Sequence, residues 1–235
     1  QRGITVPLWS GDRQVQGIVL LACLLLDVVL CAQVPLYGIR RLLKKRCVSE
    51  LLVALAALAA VADCVLWLLS PNRGSVMPYT AAAGLALCFA QWGISRESRG
   101  SCDSFRMASL DDDPPYLVTE TGRGACKQKG SLRGFYTTAK RDDYAARLQT
   151  IFLPVIFVGT LVFAGLTSLG AGHGIDFFRN WSIFLLAGGT FALPLCWGLP
   201  WSQLTRRQQK SGCAVAGWDG AARVGKRRSL ILTDT

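Results

Sequence analysis

Apolar residues along this chain gather into five runs, at residues 17–39, 51–70, 76–94, 148–169 and 181–201. Each has about the 20 residues that carry a helix across roughly 30 Å of hydrocarbon. Helix is the only open choice, because lipid offers no partner to an unpaired backbone group. The third run is the weakest, being rich in Ala and Gly and interrupted near its end by Gln91. Pro71-Asn72-Arg73-Gly74 is a turn signal that closes the second and third runs into a hairpin. The Gly-rich residues 170–174 close the fourth and fifth into another. The pattern predicts an all-α polytopic membrane protein: one span plus two hairpins, five transmembrane helices, with a short cytoplasmic loop able to hold a small β element.

Basic residues orient the spans. RRLLKKR (residues 40–46) carries five, and the tail carries Arg206, Arg207, Lys210, Arg223, Lys226, Arg227 and Arg228. The connections PNRGS and GAGHGIDFFR carry one Arg each. The positive-inside rule therefore puts the N-terminus outside and the C-terminus in the cytoplasm. The expected organisation is an external segment (1–16), three spans (17–94), a cytoplasmic loop (95–147), a hairpin (148–201) and a basic cytoplasmic tail (202–235). The chain starts at Gln1 rather than Met and stops at Thr235, which reads as a fragment of a longer protein; no signal peptide is recognisable.

Composition agrees with a membrane protein, at 51% hydrophobic and 17% charged. A net charge of +11 on a soluble chain would suggest nucleic acid. Here the cations crowd the ends of apolar runs, and no loop interleaves aromatic with basic residues, so the expected partner is the lipid bilayer and not nucleic acid. Nine cysteines include no CxxC pair. Cys23, Cys31, Cys64, Cys88 and Cys196 lie in apolar runs as small hydrophobes. Cys47, Cys102, Cys126 and Cys213 sit beside basic segments. The odd count argues against a disulfide framework.

Two carboxylates fall inside spans, Asp27 and Asp63. An intramembrane acid costs a few kcal/mol and is a candidate ion ligand, the plainer alternative being inward packing against a neighbouring helix or a water pocket. DDDPPY (111–116) offers three carboxylates, but such a run before two prolines is more often a solvated turn; His173 stands alone in a Gly-rich turn. No metal ligand set is assigned. PYLVTETG contains β-formers followed by glycine. The fifth run ends in ALPLCWGLPWSQL (192–204), where Pro194 and Pro200 each remove a helix hydrogen bond and Cys196 lies between them. Pro194, deeper in the span, is the candidate hinge.

The order of hairpin, cytoplasmic loop, hairpin and tail resembles the N-terminal membrane half of P-type ATPases, most of all the heavy-metal-transporting branch. It also resembles a divergent bacterial group whose strand reads like LTDT. In the heavy-metal branch the last span before the catalytic domain carries Cys-Pro-Cys. Pro194 matches that proline, while Leu193 and Leu195 stand where the cysteines would be, and Cys196 is offset by one position. Gly198-Leu199-Pro200 and Lys210-Ser211-Gly212 resemble the segments beyond, SLILT (229–233) resembles the strand, and Asp234-Thr235 stands at the phosphorylated aspartate and its neighbour. The family has Lys where Thr235 stands. Its actuator Thr-Gly-Glu has only Thr121-Gly122-Arg123 to match, in a loop about half the usual length. The resemblance implies ATP-driven cation translocation with Asp234 phosphorylated, and Mg and ATP held by nucleotide-binding and phosphorylation domains beyond Thr235. The fragment alone should hydrolyse nothing. It also implies a bacterial plasma membrane location. Two other readings stand beside it: a degenerate, inactive relative acting as scaffold or regulator, and a small polytopic protein with a lipid- or partner-binding basic tail.

Overall fold

A computed structural model describes residues 12–70, 77–109, 116–121, 124–129, 134–139, 144–170, 174–188 and 190–225. Its elements in order are α1 (Arg13–Leu30), α2 (Gln33–Leu43), α3 (Ser49–Leu69), α4 (Thr80–Ala108), β1 (Tyr116–Thr121), β2 (Gly124–Lys129), α5 (Phe135–Ala139), α6 (Tyr144–Gly170), a 3-10 turn (Gly174–Asp176), α7 (Phe177–Ala187), α8 (Ala192–Lys210) and α9 (Gly217–Gly225). By length and composition four stretches can cross a membrane: Arg13–Leu30, Ser49–Leu69, Arg147–Gly170 and Phe177–Lys210. The chain is thus a largely helical membrane protein. Residues 76–94, expected as a further span, are not among the four. From Thr80 onward they form the first half of α4, where small residues, Gln91 and the charges that follow keep the helix less apolar.

The chain divides into two compact units. The first comprises Gln1–Ile94 and Leu148–Cys196. Its axis is α3, in which 56% of the apolar window is buried against 11% for α1. Ala54, Ala56, Ala57, Ala59 and Ala60 are all buried, and α1, α2 and α7 pack on this helix. Small side chains let backbones approach closely, which is how helices associate in lipid. The Cys64 thiol reaches the Gly17 carbonyl of α1 at 3.5 Å, and Ser182 of α7 donates to the Ala56 carbonyl at 3.4 Å. At the N-terminus of α1, Asp12 accepts from the Gln14 N–H at 3.1 Å, a side-chain cap. Arg13 donates to the carbonyls of Trp67 and Ser70 at 2.8 and 2.9 Å, pairing groups that the end of α3 leaves without an intrahelical partner.

Two apolar runs that read as continuous are interrupted. The first run, residues 17–39, is α1 followed by α2, with Cys31 and Ala32 between them. Pro35 explains the position: it has no N–H, and its ring would strike the carbonyl four residues back, which is Cys31. That carbonyl instead accepts from Val34 N–H at 2.9 Å. The fifth run is α7 followed by α8, with Gly188, Thr190 and Phe191 outside helix. Pro194 again lies four residues beyond a broken position, Thr190. The expected mid-span kink at Pro194 is therefore displaced: the proline sits in the first turn of α8, where a missing N–H costs little, and the break precedes it. Pro200 and Pro154, by contrast, lie inside the intact helices α8 and α6.

The second unit comprises Ser95–Arg147 and Trp197–Thr235. Strands β1 and β2 pair antiparallel from Tyr116↔Lys129 to Thr121↔Gly124. Ser104 of α4 donates to the Val215 carbonyl at 2.6 Å and accepts its N–H at 3.1 Å. Trp218 of α9 lies against Trp197 and Trp201 of α8, with ring centroids 5.2 and 5.1 Å away. Helix α8 ends on Gly212 in the left-handed region (φ +68°), and the Cys213 N–H returns to the Gln208 carbonyl at 2.9 Å.

Close packing on α3 sets a test. Ala57→Leu should destabilise the protein by about 1–3 kcal/mol in a detergent unfolding titration, because the site has no room for three more carbons. Leu58→Ala, at a position 60% exposed, should change stability by much less. Equal losses from the two would mean that α3 is not the packing axis.

Candidate functional site

Several polar groups of the first unit lie along one seam, where α1 and α2 run beside α4. Asp27, half-buried on α1, points its carboxylate at Gly84 of α4, so closely that a Cβ there would strike Asp27 Oδ2. One turn further along each helix, the buried Cys31 thiol faces that of Cys88 and interacts with it. Beyond the break, the Gln91 amide nitrogen donates to Gln33 Oε1 at 2.9 Å. The three pairs advance together along both helices, which fixes a parallel register. Gln91 Oε1 is buried and accepts from nothing among the described residues.

A second close approach ties α4 to the other interrupted run. Gly93 lies against the backbone of Pro194 and Leu195, so that an added Cβ would meet the Pro194 carbonyl carbon and oxygen. Phe89 of α4 stacks on Phe191 in the α7–α8 break, with centroids 6.2 Å apart. Beside them lies an apolar cavity of about 210 Å³, lined by Ala82, Leu85, Ala86, Phe89, Leu186 and Phe191. Phe191 and Leu186 also pack on the cluster that contains Cys31, so both breaks adjoin one core.

The sequence candidates are only partly brought together. Asp27 and Pro194 both meet α4, at Gly84 and Gly93. Asp63 is buried on α3 and has an interaction partner. Cys196 is exposed on α8 as a free thiol, and Pro200 is exposed one turn beyond it. Leu193 and Leu195, half-buried, supply no metal donor. Asp111, Asp112, Asp113, Gly122, Arg123, His173, Asp234 and Thr235 lie outside the described residues. Among the described residues no three His, Cys, Asp or Glu side chains gather into a metal centre.

Several residues escaped the sequence reading. Glu50 is buried in the first turn of α3, where the helix dipole favours an acid, and Ser49 Oγ donates to its Oε2 at 3.3 Å. Arg41 lies near enough to act on its charge. The signal was present, an acid four residues beyond a basic run and at the start of an apolar stretch. Gln33 with Gln91, and Cys31 with Cys88, had no such signal, because only the register of α1 on α4 pairs them.

The arrangement is a polar seam in an apolar bundle, flanked by two interrupted helices. Asp27 and Gln33 lie on either side of the α1–α2 break and face Gly84 and Gln91 of α4, which are about 10 Å apart along that helix, so they form successive positions rather than one coordination shell. No protein-family model, no curated protein and no solved structure matches the chain.

The contacts of α4 predict a rank order. Gly93→Ala pushes on fixed backbone and should destabilise by about 1–3 kcal/mol. Gly84→Ala meets only the end of the Asp27 side chain, which can turn away, and should cost less. Gly165→Ala, with nothing within 4 Å of the added carbon, should be neutral or slightly stabilising. Thermal unfolding of the three variants in one detergent checks the order, and a harmless Gly93→Ala would refute the α4–α8 contact.

Proposed function

We propose that the chain is the membrane portion of a P-type ATPase-like cation transporter. The observation that carries this is the pair of interrupted runs, each broken four residues ahead of a proline and both packed against α4. Unwound backbone at membrane depth, as at the α7–α8 break, is tolerated where it is buried in protein or lines a cavity, and in transporters it marks the ion path; the α1–α2 break lies at the end of the seam, where α1 reaches the membrane surface. Here the path is the seam from Asp27 to Gln91, and the α7–α8 break ahead of Pro194 is the hinge. The first half of α4 serves as a fifth span, less apolar because one side faces the seam. The N-terminus lies outside and the basic segments face the cytoplasm of a bacterial cell, the positive-inside arrangement.

ATP phosphorylates Asp234 in this scheme, with Mg²⁺ neutralising the phosphates, and the nucleotide-binding and phosphorylation domains follow Thr235. Phosphorylation biases two states of the spans, and movement at the α7–α8 break opens the seam to one side or the other. A second reading, a catalytically inactive relative that serves as scaffold or regulator, is favoured by three positions. Leu193 and Leu195 offer no donors, and Arg123 stands where an actuator glutamate would position water.

The full-length parent, given radiolabelled ATP and Mg²⁺ beside its Asp234→Asn variant, separates the two. An acid-stable, hydroxylamine-sensitive label is expected on the parent and not on the variant. A folded parent that takes up no label would leave the inactive relative standing.

A further inference from the structure

Helix α2 packs through one face and is bonded at its start by Gln33 to Gln91 of α4. Val34 is buried in the cluster that holds Val53 of α3 and Ala86 and Ala90 of α4, Gly38 is buried against the start of α3, and a Cβ on Gly38 would lie 3.0 Å from the Leu51 backbone nitrogen and Cα. Arg41 is turned to the same side. Its guanidinium bonds the Tyr37 hydroxyl at 2.8 and 3.2 Å and acts on the buried Glu50. The opposite edge carries Leu36, Ile39 and Leu43, which the i, i+3, i+7 spacing brings into line. They are 51%, 50% and 81% exposed.

Beside that apolar edge stand three exposed cations, Arg40, Lys44 and Lys45. The last two belong to the cap that ends the helix. Lys45 N–H bonds the Leu42 carbonyl at 2.8 Å, Arg46 N–H bonds the Arg41 carbonyl at 3.0 Å, and Lys45 adopts φ +57°. This is the left-handed cap that α8 makes with Gly212, and glycine is its usual occupant. A lysine there spends backbone stability to keep another cation at a helix end, where cations are also favoured by the dipole.

Helix α1 precedes α2 directly and is a candidate span, so α2 starts where a span reaches the membrane surface. An amphipathic helix with leucine on one edge and long cationic side chains beside it lies in the plane of that surface. Its apolar edge enters the upper acyl chains, and its cations reach the headgroups. We propose that α2 is an interfacial helix whose Arg40, Lys44 and Lys45 bind the headgroups of anionic glycerophospholipids. The assignment does not depend on the transporter reading. The exposed leucine edge argues for lipid over a soluble acidic partner, because it places apolar side chains next to the charges on a helix continuous with a span.

The test uses the whole chain in vesicles of phosphatidylcholine alone or mixed with phosphatidylglycerol. Hydrogen exchange is followed on peptides covering residues 33–46, and native mass spectrometry counts retained lipids. Wild type should show slower exchange in α2 with phosphatidylglycerol and retain that lipid in preference to phosphatidylcholine. R40Q/K44Q/K45Q should lose the preference, each cation contributing about fivefold. R206Q/R207Q/K210Q, removing equal charge elsewhere, should leave α2 protection unchanged. Raising the salt should weaken the wild-type preference without any substitution. Undiminished preference in R40Q/K44Q/K45Q would overturn the proposal. So would an α2 protected in neither vesicle but protected by a soluble acidic protein.

Discussion

Helices surrounded by lipid gain nothing by hiding apolar surface from one another, so close backbone approach must hold them together. In this chain that constraint falls on α3. Five buried alanines between residues 54 and 60 make it thin enough for α1, α2 and α7 to touch it at once. Polar contacts at the same surfaces include Cys64 to Gly17, Ser182 to Ala56 and Arg13 to the carbonyls at the end of α3. Each joins a neighbour to α3 at a place where the backbones are already near. A larger side chain at the alanines would part the helices and lose those bonds as well.

Glycines in α4 do for the seam what alanines in α3 do for the core. Gly84 admits a carboxylate, and Gly93 admits the backbone of the first turn of α8. A helix carrying ordinary side chains at both positions could not sit between two interrupted runs. The prolines then decide where the interruptions fall. Neither Pro35 nor Pro194 stands in its own break; each forbids helix four residues earlier, and at the first break the Cys31 carbonyl accepts from the Val34 N–H instead.

That offset explains what was legible in the sequence and what was not. Apolar runs announce themselves by composition, so the membrane class and the two intramembrane carboxylates could be read directly. A break displaced by one helical turn from its cause could not, and the first run passed for a single span through residue 39 although it turns at Cys31. Pairings such as Gln33 with Gln91 depend on how two helices lie beside each other, which no local pattern encodes. The cap at Lys45 was hidden for a related reason. Glycine is the residue that signals a left-handed helix end, and this end does without it.

The three acids near the seam and core illustrate how depth and partner set a carboxylate's use. Glu50 lies buried at a helix N-terminus near Arg41, with the Ser49 hydroxyl donating to its carboxylate. Asp63 is buried on the most enclosed helix and engaged with a partner. Asp27 alone faces a glycine on a neighbouring helix, half-buried, at the head of a line of thiols and amides. What lies opposite each carboxylate therefore differs: a serine donor for Glu50, and the bare backbone of Gly84 for Asp27.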